Sequence, residues 1–191
     1  MSEGNGPSAA GGLRLAELAA RAQLGDRTAL EALLRELEPP LHEHIRGIVG
    51  DADDAADVLQ ETLLLVCRRL GTVRDHRWVR AWAYRIATRE AVRAARRSRA
   101  SRTQPLDEWA DLPAPPADEP AVDSELVAEL PRRLDALPPG ARSVLRMRYL
   151  HGLTQPEIAE ALEIPLGTVK SRLAYGIAAL RRTWGAGRGE S

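Results

Sequence analysis

The stretch TQPEIAEALEIPLGTVKSRL, residues 154–173, contains two helix starts only a few residues apart. Thr154 and Glu157 have the spacing of a capping box, in which each residue bonds the backbone N–H of the other. Pro165 and Gly167 then predict a tight turn before a second helix. A short helix followed by a turn and a longer helix indicates a helix-turn-helix, whose second helix can enter a DNA major groove.

The second helix of this pair is predicted to run from about Gly167 to about Arg182, with Val169, Leu173 and Ile177 on its core side. A plain helical hairpin with a solvated basic face would explain the same pattern, so DNA binding stays a hypothesis at this point. The residues on or near its exposed first turns are the candidates for DNA contacts, and they are Thr168, Lys170, Ser171, Arg172 and Tyr175.

The composition indicates an all-α protein. The chain has 191 residues, four Trp, three Tyr and no Phe, and the alternation typical of strands is nearly absent. Its single cysteine, Cys67, cannot form an internal disulfide, which fits a reducing cytoplasm. No apolar run approaches the ~18 residues of a membrane span, and the first residues do not resemble a signal peptide. A cytoplasmic protein is therefore expected.

Charge is strongly segregated although the formal net charge is zero. Residues 74–102 contain ten arginines and only two acids, whereas residues 103–141 contain nine acids and only two arginines. Residues 142–182 are again basic. Two basic blocks separated by an acidic block predict two surfaces that bind a polyanion, with a connector between them.

Proline and acid content sets the domain boundaries. Residues 102–122 include five prolines, several acids and few apolar side chains, which predicts a flexible linker because such a segment cannot bury enough surface to become ordered. The predicted organisation has two small helical domains joined by this acidic, Pro-rich linker. In full, it is a disordered leader at 1–12, a domain at 13–101, the linker at 102–122, a domain at 123–184 that holds the helix-turn-helix, and a disordered tail at 185–191.

Capping residues divide the first domain into helices. Asp26 and Asp51 are each placed to cap a helix, and Pro39 and Pro40 are expected to interrupt the first of these. The last helix of the domain, at about 76–99, combines an apolar stripe with arginines over the rest of its surface.

Three segments carry a family resemblance: DADDAADVLQETLLLVCRRL at 51–70, VRAWAYRIATREAVRAARR at 79–97 and LPPGARSVLRMRYLHGLTQPEIAEALEIPLGTVKSRLAYGIAALRR at 137–182. They resemble the two domains of bacterial RNA polymerase sigma factors of the extracytoplasmic-function (ECF) group. The likeness covers nearly all of the chain outside the leader and the linker, with the motifs in the family's order. It implies sigma domain 2 at 13–101 and sigma domain 4 at 123–184.

The resemblance implies two roles for the first domain. Its acidic helix would dock on a coiled coil of the polymerase β′ subunit through Asp54, Asp57, Val58, Gln60 and Glu61. Its Arg-rich helix would bind and help to melt the promoter −10 element. Trp78 is a candidate for stacking on unpaired bases, whereas Trp82 lies on the apolar stripe and is expected in the core. The −10 candidates are Arg77, Trp78, Arg80, Arg85, Arg89, Arg93, Arg96 and Arg97.

For the second domain the family pattern assigns −35 contacts to Thr168, Lys170, Ser171, Arg172 and Tyr175, with Arg172 a candidate for bidentate guanine recognition. The implied partners are core RNA polymerase, through its β′ and β subunits, promoter DNA and an inhibitory anti-sigma protein. The acidic linker would pass through the polymerase, either as a mimic of nucleic acid or as a simple tether. No cofactor or metal is expected.

Two rival functions have some support in the sequence. The segment His42-Glu43-His44 suggests a metal site, but residues two apart on a helix point in different directions. Cys67 lacks an adjacent activating partner, so an enzyme is not expected. A stand-alone helix-turn-helix regulator that binds an operator would explain the second domain, but it leaves the acidic helix and the Arg-rich helix without a role.

Overall fold

A computed structural model describes residues 7–100 and 124–187 of the chain. Within these two ranges the protein is helical and contains no strand. The predicted linker at 102–122 lies outside the described residues. The helices, in chain order, are α1 (Pro7–Gln23), α2 (Arg27–Val49), α3 (Ala52–Arg69), α4 (Val79–Ala100), α5 (Ser124–Arg133), α6 (Pro139–Leu145), α7 (Gln155–Leu162) and α8 (Leu166–Gly187).

Short segments of 3₁₀ and π-helix join several of these helices. They are the 3₁₀ turns Leu70–Thr72, His76–Trp78 and Leu134–Ala136, and a π-helical segment, Arg146–Leu150, that continues α6. Pro131 lies inside α5, which ends two residues later, where the turn Leu134–Ala136 begins.

The capping residues predicted from the sequence are confirmed. The Asp26 carboxylate accepts a hydrogen bond from the Ala29 N–H at 3.0 Å. The Asp51 carboxylate accepts from the N–H groups of Asp53 and Asp54, at 2.9 and 3.2 Å. These bonds satisfy amides that have no partner inside the helix, and they fix where α2 and α3 begin.

Two boundaries differ from the predictions. α1 already begins at Pro7, inside the predicted leader, and α8 reaches Gly187, inside the predicted tail. Pro39 and Pro40 do not interrupt α2, so the predicted break at these prolines is wrong. Proline removes a backbone hydrogen bond, but Leu33, Leu37, Leu41 and Ile45 on the same helix are all buried. Packing of this face outweighs the local cost.

The hydrophobic core extends across both helical regions. α4 lies at the centre and packs against α1, α2 and α3 on one side and against α7 on the other. α8 packs on α6 and α7. The helix-turn-helix therefore lies directly beside the Arg-rich helix. Among residues 7–100 and 124–187, no helix combines the length and the apolar composition that crossing a bilayer requires.

Candidate nucleic-acid interface

The capping box that opens α7 forms as predicted and gains a third partner. The Thr154 N–H donates to Glu157 Oε2 at 2.8 Å, and the Glu157 N–H donates to Thr154 Oγ1 at 3.4 Å. The same Glu157 carboxylate accepts from Arg80 of α4, with Nε–Oε1 at 3.0 Å and Nη2–Oε2 at 2.7 Å. Arg80 Nη2 also donates to the Gly152 carbonyl at 3.3 Å.

The ion pair of Arg80 and Glu157 is nearly closed to solvent, since each side chain is only 11% exposed. Burial by itself would raise the pKa of the Glu157 carboxyl, but the hydrogen bonds from Arg80 and Thr154 outweigh it, so this pKa is lowered. The carboxylate is therefore charged near neutral pH. A fork-shaped guanidinium facing two carboxylate oxygens is the strongest geometry for such a pair.

Two more pairs continue along the same contact at the protein surface. Arg85 Nη1 donates to Glu160 Oε1 at 2.7 Å, and Arg89 Nε donates to Glu163 Oε2 at 2.9 Å. α4 thus presents Arg80, Arg85 and Arg89 to two glutamates of α7 and to Glu163, the cap at its C-terminal end. We call this set of three ion pairs the arginine ladder.

The rest of the arginine surface of α4 stays open. Arg96 and Arg97 are exposed, and Arg93 is 64% exposed while it pairs with Glu90 at 2.8 Å. Arg77, just before α4, is exposed and pairs with Asp75. Trp78 is 39% exposed, and Trp82 is partly buried against the core, as expected.

The predicted −35 surface on α8 is only partly exposed. Lys170 is exposed, and Thr168 and Tyr175 are half-buried. Ser171 and Arg172 are buried, with exposures of 8% and 5%, so their placement on an exposed surface was wrong. The Ser171 hydroxyl donates to the Thr168 carbonyl at 3.0 Å.

Arg172 faces α6 rather than solvent. A Cβ added at Gly140 would lie 3.3 Å from its guanidinium carbon, and burial lowers the pKa of Arg172. The periodicity of α8 places this residue close to the boundary of the core stripe. Its long side chain passes over the small Gly140. Because the residue is charged, its burial could not be predicted from the sequence.

Two different family models match the chain. The model described as Sigma-70 region 2 matches residues 33–101, and the one described as Sigma-70, region 4 matches residues 128–180. SigM of Mycobacterium tuberculosis, an ECF RNA polymerase sigma factor, is 33% identical over 170 residues, which cover 89% of this chain and 84% of SigM. The chain belongs to the ECF sigma factor family.

Other relatives agree with this family. The RNA polymerase sigma-H factor of Pseudomonas aeruginosa is 30% identical over 169 residues, covering 82% of this chain and 86% of its own length. The solved structure of CnrH in complex with the cytosolic domain of CnrY matches with a TM-score of 0.65 at 24% identity. The match covers 91% of this chain and 98% of CnrH, which shows the shared fold.

The predicted family and the predicted function are both confirmed by these matches. This ECF sigma factor recognises promoters and directs RNA polymerase to them. The Sigma-70 region 2 match covers the Arg-rich helix and the acidic helix. A stand-alone regulator would leave that match unexplained.

The acidic helix α3 presents most of the predicted docking residues to solvent. Asp54, Asp57, Gln60 and Glu61 are exposed, but Val58 is buried at 7% exposure and belongs to the core. Val58 lies on the side of α3 that packs inward, so it supports the exposed docking candidates from the core. Leu64 is 45% exposed on the same outward face, and it was not among the docking residues predicted from the sequence.

Three aromatic rings form a cluster that was not predicted from the sequence. His44 of α2 and Tyr84 of α4 have ring centroids 5.2 Å apart, and His151, which follows the π-helical segment, lies 5.7 Å from Tyr84. The Thr88 hydroxyl donates to the Tyr84 carbonyl at 2.8 Å, so its oxygen accepts from His44 Nε2–H at 2.9 Å. Burial lowers the pKa of His44 to about 3 and that of His151 to about 4.

The surroundings of His44 do not resemble a metal site. In the described part of the chain, no group of three or more His, Cys, Asp or Glu residues is arranged to hold a metal ion. His44 packs into the interface between the two helical regions instead.

Proposed function

We propose that this sigma factor uses three separate surfaces. The exposed face of α3 docks on core RNA polymerase, the arginine surface of α4 with Trp78 binds the opened −10 strand, and the first turns of α8 bind the −35 duplex. The observation that carries the proposal is the joint match to Sigma-70 regions 2 and 4 in one chain.

Charge supports the assignment of α4 to DNA. Arginines provide phosphate contacts of any nucleic-acid surface, and Arg93, Arg96 and Arg97 line a groove on the last turns of α4. The exposed indole of Trp78 can stack on an unpaired base. On the first two turns of α8, Lys170 is an exposed basic residue, with the half-buried Thr168 and Tyr175 near it, so they form the proposed −35 contact.

The proposed docking face joins acids to an apolar residue. Asp57, Glu61 and Leu64 are three or four positions apart and share the outward side of α3. Charged residues around an exposed leucine suit a partner helix that presents basic and apolar side chains. We propose that this partner is the β′ subunit, with β contacting other parts of the chain.

We further propose an inhibitory protein partner and a cytoplasmic location, where core polymerase acts. The fold neighbour CnrH was solved in complex with the cytosolic domain of CnrY, and a partner of that kind would fit this chain.

Assembly with core polymerase tests the proposal. The double variant Asp57→Arg/Glu61→Arg is expected to lose co-elution with purified core enzyme. The control Glu31→Arg/Glu38→Arg makes the same charge change at exposed positions on α2, and it should bind like wild type. Equal binding by both double variants would contradict docking through α3.

A further inference from the structure

The arginine ladder occupies residues that the proposed function assigns to DNA. Arg80, Arg85 and Arg89 form the N-terminal half of the −10 surface, and each is paired with a glutamate of the helix-turn-helix. Glu157 and Glu160 are three residues apart on α7, and Glu163 is the cap at its C-terminal end. All three carboxylates face α4.

Carboxylates are chemical substitutes for phosphates in this position. A guanidinium binds either oxyanion through two parallel N–H···O bonds. Arg80 already makes such a fork with Glu157, at Nη2–Oε2 2.7 Å and Nε–Oε1 3.0 Å. An arginine that holds a carboxylate in this way cannot hold a phosphate with the same donors.

Other contacts between the two helical regions stabilise the same arrangement. Arg146, which follows α6, donates from Nη1 to the Glu43 carbonyl of α2 at 3.2 Å. Its guanidinium lies so close to Gly47 that a Cβ there would be 2.6 Å from the guanidinium carbon. His151 packs beside Tyr84 and His44. The contact is therefore built from buried as well as exposed groups.

We propose that α7 and its C-terminal cap, Glu163, are an intramolecular competitor of the −10 strand: their three glutamates occupy Arg80, Arg85 and Arg89 until the helix-turn-helix leaves α4. The inference rests on the proposed −10 role of α4. Arg93, Arg96 and Arg97 stay accessible and form the site at which DNA first binds. Only the open form has all the arginines available for DNA. Because only a fraction of the molecules is in the open form, the apparent affinity for single-stranded DNA is lower than that of the open form itself.

Removal of the exposed carboxylates tests the competition. The full-length variant Glu160→Gln/Glu163→Gln keeps the shape of both side chains and leaves the buried Glu157 in place. The probe is fluorescein-labelled single-stranded DNA of randomised sequence, followed by anisotropy. The control Glu17→Gln/Glu31→Gln changes the net charge equally at exposed sites on α1 and α2.

Binding by the ladder variant is expected to be about three- to tenfold tighter than binding by the control, because two exposed pairs shift the closed–open equilibrium by about that factor. The stronger variant Glu160→Arg/Glu163→Arg repels Arg85 and Arg89, so its radius of gyration in small-angle X-ray scattering should exceed that of wild type. Equal DNA affinities of the ladder variant and the control variant would overturn the proposed competition. An unchanged radius of gyration of the Glu160→Arg/Glu163→Arg variant would overturn it as well.

Transcription separates this inference from the proposed function. If the ladder variant binds no tighter than the control while wild type still directs core polymerase to promoters, the competition is wrong and the −10 role stands. If wild type neither joins core polymerase nor directs transcription, the proposed function itself fails.

Discussion

Gly176 of α8 lies directly against Leu145 of α6, so that a Cβ at position 176 would be 2.5 Å from Leu145 Cδ1 and 3.2 Å from its Cγ. Real side chains do not approach so closely, and Leu145 is fully buried. The close contact of these two helices supports the base of the helix-turn-helix.

The substitution Gly176→Ala should therefore destabilise the protein by about 1–3 kcal/mol, as overpacked cores do. Gly12→Ala in α1 is the matched control, because nothing lies within 4 Å of the added Cβ. It should be neutral or stabilising by up to about 1 kcal/mol, since alanine favours helix. Urea unfolding measures both, and equal stability of the two variants would contradict the packing of α6 on α8.

The buried pair of Arg80 and Glu157 should contribute far more to stability than the exposed pair of Arg89 and Glu163. Glu157→Gln preserves the capping box but leaves Arg80 without its counter-ion, which should cost about 3 kcal/mol or more. Glu163→Gln, at a partly exposed pair, should change the free energy of unfolding by less than about 1 kcal/mol. Chemical denaturation of the two variants gives the comparison, and similar losses would mean that the buried contact does not persist in solution.

Stability should fall as the pH is lowered from about 6.5 to about 4. His44 and His151 are neutral in the folded protein, with pKa values lowered to about 3 and about 4, whereas each takes up a proton near pH 6.5 when unfolded. The unfolded state then binds more protons, so the free energy of unfolding decreases by up to about 2.7 kcal/mol per pH unit over this window. Arg146 and Glu43 are the charged groups beside His151, and Arg146 lowers both pKa values.

Two variants show which histidines cause this pH dependence of stability. His151→Gln should reduce the slope by about half, because one of the two protonations is removed. His42→Gln, at a half-buried histidine of α2 outside the cluster, is the matched control variant. Below about pH 4.5 the lowered pKa of Glu157 adds a further loss of stability in the same direction. Free energies of unfolding measured across pH check the sign, and a rise in stability on acidification would contradict the buried neutral histidines.

Lys170 and Arg172 should behave differently although both were predicted to contact the −35 element. Lys170→Gln removes an exposed charge and should weaken duplex binding, with the slope of log K against log salt reduced by about 0.9. Arg172→Gln removes a buried side chain packed on Gly140 and should lower the unfolding midpoint. Anisotropy at several salt concentrations and thermal unfolding separate the effects; a normal midpoint with lost binding for Arg172→Gln would restore its role in DNA recognition.

Helix starts were predictable because they depend on neighbouring residues. Asp26, Asp51 and the box of Thr154 and Glu157 act within three positions of the backbone that they cap. The stripes of leucines on α2 and α3 likewise follow helical periodicity. These features need no knowledge of the rest of the chain.

Contacts between distant parts of the chain were not predictable in this way. The linker composition suggested that the two domains would be separate, so the ladder of α4 and α7 was missed even though its arginines and glutamates are visible in the sequence. Their pairing depends on how α4 and α7 lie against each other. Arg80 and Arg172 were assigned to exposed surfaces because a charged residue type indicated function, whereas tertiary packing buries them.

Transcription in vitro tests whether the protein directs core RNA polymerase to specific promoters. Purified core RNA polymerase is incubated with a library of promoter fragments, alone or with the full-length protein, and the transcripts are sequenced to map their start sites. Discrete starts at a shared set of promoters are expected only when the protein is present. These starts should be lost with Asp57→Arg/Glu61→Arg but not with Glu31→Arg/Glu38→Arg. Identical transcripts with and without the protein would contradict this promoter-directing function.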